Sequence, residues 1–139
     1  MEPKQYPTLL PKVQEAPVAE SEVDPTELEN AEPDHLASAI ASYLDMKKGA
    51  DITVLDVADK TSLTSYFVIA TATSNTHVKA LCDEADFQTS RRGFPAISTE
   101  GRAGGSWALL DYGPVIVHIF TREARDFYRI ERLYTGGEV

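Results

Sequence analysis

The sequence predicts a mixed α/β (α+β) domain in which a five-stranded sheet is flanked by helices. Segments with the 3.6-residue apolar period of a helix are interspersed with segments that show the apolar pattern of strands. Their order is helix, two strands, helix, three strands and helix. Because this order departs from strict strand–helix alternation, we expect a mixed sheet. The chain has 139 residues, of which 42% are hydrophobic, so it can build one core of useful size.

The three helices are predicted from apolar stripes and from signals at their ends. Asp34 is expected to cap the first helix, and Gly49 is expected to end it. Ser74 and Thr121 are expected to cap the second and third helices through their hydroxyl groups. The predicted helices span residues 34–48, 75–90 and 122–134.

The five strands are predicted from short segments rich in apolar and β-branched residues. The middle of residues 63–73 is continuously apolar, which predicts a central strand covered on both faces. Gly113 and Pro114 separate the last two strands and indicate a hairpin. The predicted strands span residues 51–57, 63–73, 96–98, 107–112 and 115–121.

The acidic charge of the chain is concentrated at its N-terminus. Residues 1–33 hold six of the eight prolines and show no lasting apolar period, so we expect a disordered acidic tail there. Residues 34–135 are expected to form the domain, followed by a short tail at residues 136–139. Residues 36–139 have 13 acidic and 11 basic side chains, a net charge of −2. A domain this close to neutral is not expected to bind nucleic acid directly or sequence-specifically.

The sequence also suggests where the protein acts. It lacks the apolar run of about 18 residues that a membrane span needs. The N-terminus resembles neither a secretory signal nor a transit peptide. Cys82 is the single cysteine, so no internal disulfide is expected, which fits a reducing cytosol. We therefore expect a cytoplasmic protein that has no contact with membranes.

Nucleophilic and zinc chemistry find little support in the sequence. His35, His77 and His118 are far apart, and no zinc-ligand spacing occurs. Cys82 falls on the apolar stripe of the second predicted helix, where a cysteine acts as a small hydrophobe.

Paired carboxylates are the best enzymatic candidate. Asp51 and Asp56 are five residues apart on one predicted strand, so their side chains are expected to point to opposite faces, and Asp111 ends another strand. Nucleotidyl transfer requires carboxylates that converge on Mg²⁺. We therefore expect no catalytic, metal or cofactor site and no enzymatic activity. A metal-dependent nucleotidyl-transfer enzyme is the alternative that the carboxylates leave open.

Four stretches of the chain, taken in order, carry a family resemblance. They are residues 47–57 (KKGADITVLDV), residues 63–78 with YFVIAT and a following His-Val, residues 100–120 with Glu-Gly, WALLDYG and VIVHIF, and residues 125–133 with Arg125, Phe127-Tyr128 and Ile130-Glu131. Together they resemble the Iojap family of ribosomal silencing factors, and the resemblance runs from about residue 36 to residue 134.

The resemblance implies a fold and a function. It implies a nucleotidyltransferase-like fold without the catalytic residues of the transferases. It further implies binding to the large ribosomal subunit through its ribosomal protein numbered fourteen. Occupation of that surface would keep the small subunit from joining and would repress translation when nutrients are scarce. The sequence does not determine the oligomeric state and leaves a homodimer open.

The hairpin that begins at Trp107 is the candidate partner-binding surface. It carries the densest part of the resemblance and gathers aromatic side chains in one small unit. Trp107 can be a core residue or a binding anchor, and His118 can be a core histidine or an interface residue. Tyr112 is expected to be half exposed at the hairpin turn. The candidate partner-binding residues are Glu100, Trp107, Asp111, Tyr112 and His118.

The last predicted helix carries arginines at intervals of three or four residues, which predicts one basic stripe. The stripe is either a solvated face or a contact for ribosomal RNA or an acidic partner. Its members are Arg122, Arg125, Arg129 and Arg132.

Overall fold

A computed structural model of the chain describes residues 26–101 and 105–130. The helices are α1 (Pro33–Met46), α2 (Asn75–Arg91) and α3 (Arg122–Tyr128), and the strands are β1 (Ala50–Asp56), β2 (Tyr66–Ala72), β3 (Ser98–Glu100), β4 (Trp107–Asp111) and β5 (Val115–Thr121). They form one sheet in the order β1-β2-β5-β4-β3. β2 and β5 are parallel, and every other pair of neighbours is antiparallel. The predicted five-stranded mixed sheet is confirmed.

The two faces of the sheet have different cover. The helix-covered face packs against α1 and α2 and contains the main core, to which Val68, Leu110 and Val117 contribute. Side chains alternate along a strand, so the residues next to these in sequence point to the opposite face. That opposite face is here called the open face. In the described part of the chain the short helix α3 packs on it over β5 and β2, and residues of β4 on this face are partly exposed. β2 is buried on both faces, as its continuous apolar run predicts.

The ends of α1 differ from the prediction. Asp34 is not its N-cap, because Pro33 takes the first helical position and Glu32 stands before it. The Asp34 carboxylate instead accepts a hydrogen bond from the neighbouring amide. At the other end Lys48, with φ of 68°, adopts the left-handed conformation that Gly49 was predicted to provide. Gly49 is needed for a different reason: a Cβ there would lie 3.1 Å from the Leu44 carbonyl oxygen.

The other two helix starts are confirmed. The Ser74 hydroxyl accepts a hydrogen bond from the His77 amide at 3.1 Å, and the Thr121 hydroxyl accepts one from the Ala124 amide at 3.3 Å. α3 ends at Tyr128, earlier than predicted, because Arg129 adopts a left-handed conformation with φ of 46°. Residues 131–134 of the predicted helix lie outside the described residues.

The limits of two strands also differ from the predicted ones. β3 lies two residues later than predicted, since its pairing with β4 begins where the Ile97 amide donates to the Asp111 carbonyl at 2.7 Å. β2 begins at Tyr66, where its pairing with β1 and β5 begins, rather than at residue 63, and the Thr64 hydroxyl before it donates to the Gly113 carbonyl oxygen at 2.9 Å. None of the helices in the described part of the chain is both long and apolar enough to cross a membrane.

Order extends further toward the N-terminus than the predicted limit of the domain at residue 34. Residues 26–30 form a turn ahead of α1, and the Leu28 side chain is fully buried in the main core. The remainder of the predicted N-terminal tail, residues 1–25, lies outside the described residues, as do residues 136–139.

Candidate functional site

Four of the five candidate residues share the open face. On β4, Ala108 and Leu110 point into the main core, so Trp107 and Asp111 point to the open face. His118 on β5 lies between Val117 and Ile119 of the main core and therefore also points to the open face. Glu100 pairs with Leu109 across the β3–β4 ladder and takes the same side.

Trp107 lies half buried at the start of β4. Its indole packs against the apolar cluster under α3 and is paired in register with Phe120 on β5. Gly101 lies against the ring: φ there is +78°, and a Cβ would stand 2.5 Å from the indole Cε3 atom. Glycine therefore allows the chain to pass directly against the indole of Trp107.

The two acidic candidates differ in how free they are. Glu100 is exposed at the end of the edge strand β3. The Asp111 carboxylate accepts a hydrogen bond from the Gly113 amide at 2.8 Å and so supports the hairpin turn. Gly113 has φ of +94°, as a two-residue hairpin with glycine at its first central position requires. Asp111 thus supports the β4–β5 turn at one end of the open face, whereas the exposed Glu100 carboxylate lies on the edge strand β3.

The prediction that Tyr112 is half exposed is wrong. Its side chain is 1% exposed and lies in the main core on the helix-covered face. Side chains alternate along β4, so Trp107 points to the open face and residue 112 points to the helix-covered face. This alternation, rather than nearness to the turn, determines the exposure of Tyr112. The Tyr112 hydroxyl is within 2.9 Å of the Thr89 hydroxyl on α2, and burial raises the pKa of the tyrosine above its ordinary value.

His118 occupies the middle of the open face and is only 9% exposed. Its imidazole lies edge-on to Phe67, with 4.8 Å between ring centroids, and is stacked near Phe120 at 6.0 Å. The Nε2 atom is buried without a hydrogen-bond partner among the described residues. Burial lowers the pKa of His118 to about 4, so the ring is neutral at pH 7.

The burial of His118 predicts a pH-dependent stability. The ordinary pKa of 6.5 applies to the unfolded chain and a pKa of about 4 to the folded protein. Between these values the unfolded state binds the extra proton, so the free energy of unfolding should fall by about 1.4 kcal/mol per pH unit as the pH drops. Urea unfolding of the parent and of His118→Phe from pH 7.5 to pH 4.5 measures this. The free energy of unfolding of the parent should fall relative to that of His118→Phe as the pH drops, whereas His35→Phe, an exposed control, should parallel the parent. Parallel pH profiles for the parent and His118→Phe would show that His118 is not the responsible group.

The described arginines of the predicted basic stripe, Arg122, Arg125 and Arg129, do not form one solvated face, and Arg132 lies outside the described residues. Arg125 is 6% exposed and points onto the sheet, where it donates to the Thr71 hydroxyl at 2.8 Å and the Thr53 hydroxyl at 3.0 Å. Arg122 forms an ion pair with the Asp51 carboxylate. These arginines fasten α3 to β1 and β2. The spacing of the arginines predicted that they share one face of the helix. It could not show that Arg125 is buried against strands distant from it in sequence.

The three carboxylates considered for catalysis each bind a different partner. Asp51 pairs with Arg122, Asp56 accepts from the Ala58 amide at 3.1 Å, and Asp111 accepts from Gly113. Within residues 26–101 and 105–130 no three His, Cys, Asp or Glu side chains are grouped as metal ligands would be.

The open face also contains residues that the candidate set missed. Leu109 and Ile116 are partly exposed there: Leu109 lies between Trp107 and Asp111 on β4, and Ile116 on β5 is paired with Asp111. Their positions follow from the alternation that begins at Trp107, so the signal was in the sequence. Tyr128 of α3 stacks on Phe120 with 5.6 Å between centroids and extends the aromatic row to the margin of the face.

Comparison with known proteins places the chain. The model of the family described as "Ribosomal silencing factor during starvation" matches residues 29–138. The chain belongs to this family. The family match includes the whole sheet and the open face, and it begins just after Leu28.

Individual family members support the assignment. The "Ribosomal silencing factor RsfS" of Haemophilus influenzae is 36% identical over 99 residues, which cover 71% of this chain and 97% of that protein. "Protein Iojap, chloroplastic" of Zea mays is 34% identical over 98 residues, covering 70% of this chain and 42% of that protein. A crystal structure of a Chromobacterium violaceum protein superposes with a TM-score of 0.74 at 34% identity, covering 78% of this chain and 90% of that one.

Proposed function

We propose that the protein binds the large ribosomal subunit through the ribosomal protein numbered fourteen. Bound there, it prevents the small subunit from joining and represses translation when nutrients are limited. The observation that carries the proposal is the open face of a family member, where the half-buried Trp107 indole is partly exposed and the imidazole of His118 lies buried among aromatic rings on the same face. Exposed or half-exposed aromatic side chains on a rigid surface are the usual anchors of protein interfaces.

The partner surface in this proposal consists of Glu100, Trp107, Asp111 and His118, to which we add Leu109. Tyr112 is left out because its ring is buried on the other face. The near-neutral charge of residues 36–139 favours a protein contact over a contact with RNA alone. The protein acts in the cytoplasm in this proposal, and a homodimer would have to leave the open face accessible.

The proposal also includes the absence of catalysis. The carboxylates that a transferase would direct at Mg²⁺ are bound here to an arginine and to backbone amides. A buried guanidinium, that of Arg125, occupies the polar space between β1, β2 and α3. A cation placed next to that guanidinium would be repelled by it.

Subunit joining provides the test. The purified chain is mixed with large subunits before small subunits are added, and the mixture is sedimented, with a parallel run that lacks the chain. We expect the chain to sediment with large subunits and the fraction of joined ribosomes to fall. Calorimetry with Mg²⁺ and nucleoside triphosphates should show no saturable binding. An unchanged joined fraction, with the chain absent from the large-subunit peak, would refute the proposal, and nucleotide binding with turnover would favour a transferase.

A further inference from the structure

The segment ahead of α1 reaches into the core between two helices. The Leu28 side chain is fully buried among residues of α1 and α2. Its amide donates to the Arg92 carbonyl oxygen at 2.9 Å, just past the end of α2. The Glu27 carboxylate meets Arg92 Nε at 3.2 Å. We call residues 26–32 the strap, and the cleft that receives its Glu27 and Leu28 side chains the strap groove.

The arginine that meets the strap is held by the groove itself. Arg92 is 5% exposed, and its guanidinium lies 5.3 Å from the centroid of the Tyr43 ring on α1. Its Nη1 atom donates to both oxygens of Gln88, the backbone carbonyl and the side-chain amide, one turn back along α2. Contacts with α1 and α2 therefore position the Arg92 guanidinium, and its Nε atom faces the strap. A buried, pre-oriented guanidinium with an adjoining apolar pocket suits a carboxylate followed by an aliphatic side chain.

Gly93 makes room for the strap. With φ of +92°, a Cβ there would lie 3.1 Å from the Glu29 Cβ atom and 3.3 Å from the Thr26 Cα atom. The chain thus keeps glycine where the strap crosses closest to the end of α2. The strap's internal backbone bonds, Glu29 to Thr26 and Ala31 to Leu28, are both 3.0 Å and belong to the strap alone. The strap forms no strand and pairs with no strand of the sheet.

We infer that the strap groove is a docking site for a Glu-Leu segment, and that its occupant is this chain's own strap, which opens independently of the sheet. The described connections of the strap to the rest of the domain include two backbone hydrogen bonds, from the Leu28 amide to Arg92 and from the Leu36 amide to Glu32, the Glu27–Arg92 ion pair, and the packing of Leu28 and Ala31 on the main core. The sheet is held by four ladders. Local units with few anchoring contacts open at lower free energy than the global unit. The family match begins at residue 29, so Glu27 and Leu28 lie beyond what it covers.

Hydrogen exchange on the full chain tests whether the strap opens by itself. In the parent, the Leu28 amide should exchange at least tenfold faster, relative to its intrinsic rate, than the Val68 amide in the central strand. Leu28→Ala should accelerate exchange at residue 28 by about thirtyfold or more, because truncating a buried leucine generally costs 2 to 5 kcal/mol. Glu27→Gln, which keeps the leucine, should show a smaller acceleration at the same amide. Equal protection at residues 28 and 68 in the parent would show a strap that opens only with the whole domain and would overturn the inference.

Docking in trans tests the groove. A labelled synthetic peptide with the sequence of residues 24–32 is titrated into the full-length Leu28→Ala protein, whose own strap fills the groove poorly. We expect saturable binding, at least tenfold weaker binding to the parent, and a similar loss when the peptide carries Leu28→Ala. If Leu28→Ala fails to fold by circular dichroism, Glu27→Gln takes its place as the recipient protein. Binding that is unaffected by the peptide's leucine, or no binding to a folded recipient, would overturn the docking site.

Discussion

Replacing Trp107 by alanine is expected to weaken binding to the large-subunit ribosomal protein by at least tenfold to thirtyfold. An aromatic anchor at an interface typically contributes about 2 kcal/mol or more, and about 1.4 kcal/mol corresponds to a factor of ten. The indole is half buried between the cluster beneath α3 and the backbone at Gly101, so under the proposed function little side-chain freedom is lost on binding. The measurement is the affinity of each variant for the isolated ribosomal protein.

The controls separate binding from folding. Trp107 also contributes to the apolar cluster under α3, so circular dichroism and a urea titration must first show that the variant is folded at the temperature used. Ile97→Ala is the matched control. Ile97 is 72% exposed, and it precedes Ser98, which pairs with Asp111 of the open face, so the alternation of side chains assigns Ile97 to the other face. A folded Trp107→Ala protein that binds as tightly as Ile97→Ala would place the interface elsewhere.

Tyr112→Ala is expected to remove about 3 to 5 kcal/mol from the free energy of unfolding, the usual cost of deleting a buried aromatic ring. Small domains are stable by about 5 to 15 kcal/mol, so this loss removes between about a fifth and all of the stability and should lower the urea midpoint clearly. The ring fills the core between β4 and α2, and the Thr89 hydroxyl lies 2.9 Å from its own hydroxyl. Urea denaturation followed by circular dichroism measures the loss.

Tyr112→Phe distinguishes a core role from an interface role. It keeps the ring and removes one hydrogen bond, and the Thr89 hydroxyl retains the Ala85 carbonyl at 2.9 Å. A cost of about 0.5 to 1.5 kcal/mol in stability is therefore expected, with no change in affinity for the ribosomal partner. If folded Tyr112→Phe lost affinity as strongly as Trp107→Ala, the tyrosine hydroxyl would have to take part in binding after all.

Local signals in the sequence predicted the element order and most element limits. Ser74 and Thr121 cap helices because a hydroxyl group and the following amides are all that a cap requires. Gly113 and Pro114 likewise form the turn between β4 and β5 from their own backbone preferences. Asp34 failed as a cap because the neighbouring proline competes for the start of the helix, and proline at the first helical position is favoured strongly enough to prevail.

Features that depend on distant partners were not predicted. Arg125 is buried because the Asp51 carbonyl and the hydroxyls of Thr53 and Thr71 accept its hydrogen bonds, and none of these is near it in sequence. Leu28 lies in an acidic, proline-rich segment, and the composition of such a segment does not indicate that one of its residues belongs to the core. For the candidate site, the proposal of the hairpin rests on the family resemblance, and only strict strand alternation separates Trp107 from Tyr112.

The two edges of the sheet determine how another protein can approach it. β3 has only three residues, and β1 carries a bulge between Ala50 and Thr53, where Asp51 has φ of 47° and its carbonyl oxygen accepts from Arg125. Short and bulged edge strands are poor templates for a strand added from another chain. Main-chain pairing with partners or with further copies of the protein, the pairing that drives β-aggregation, is therefore disfavoured at both edges. Under the proposed function, recognition then depends on side chains on the face of the sheet rather than on its backbone.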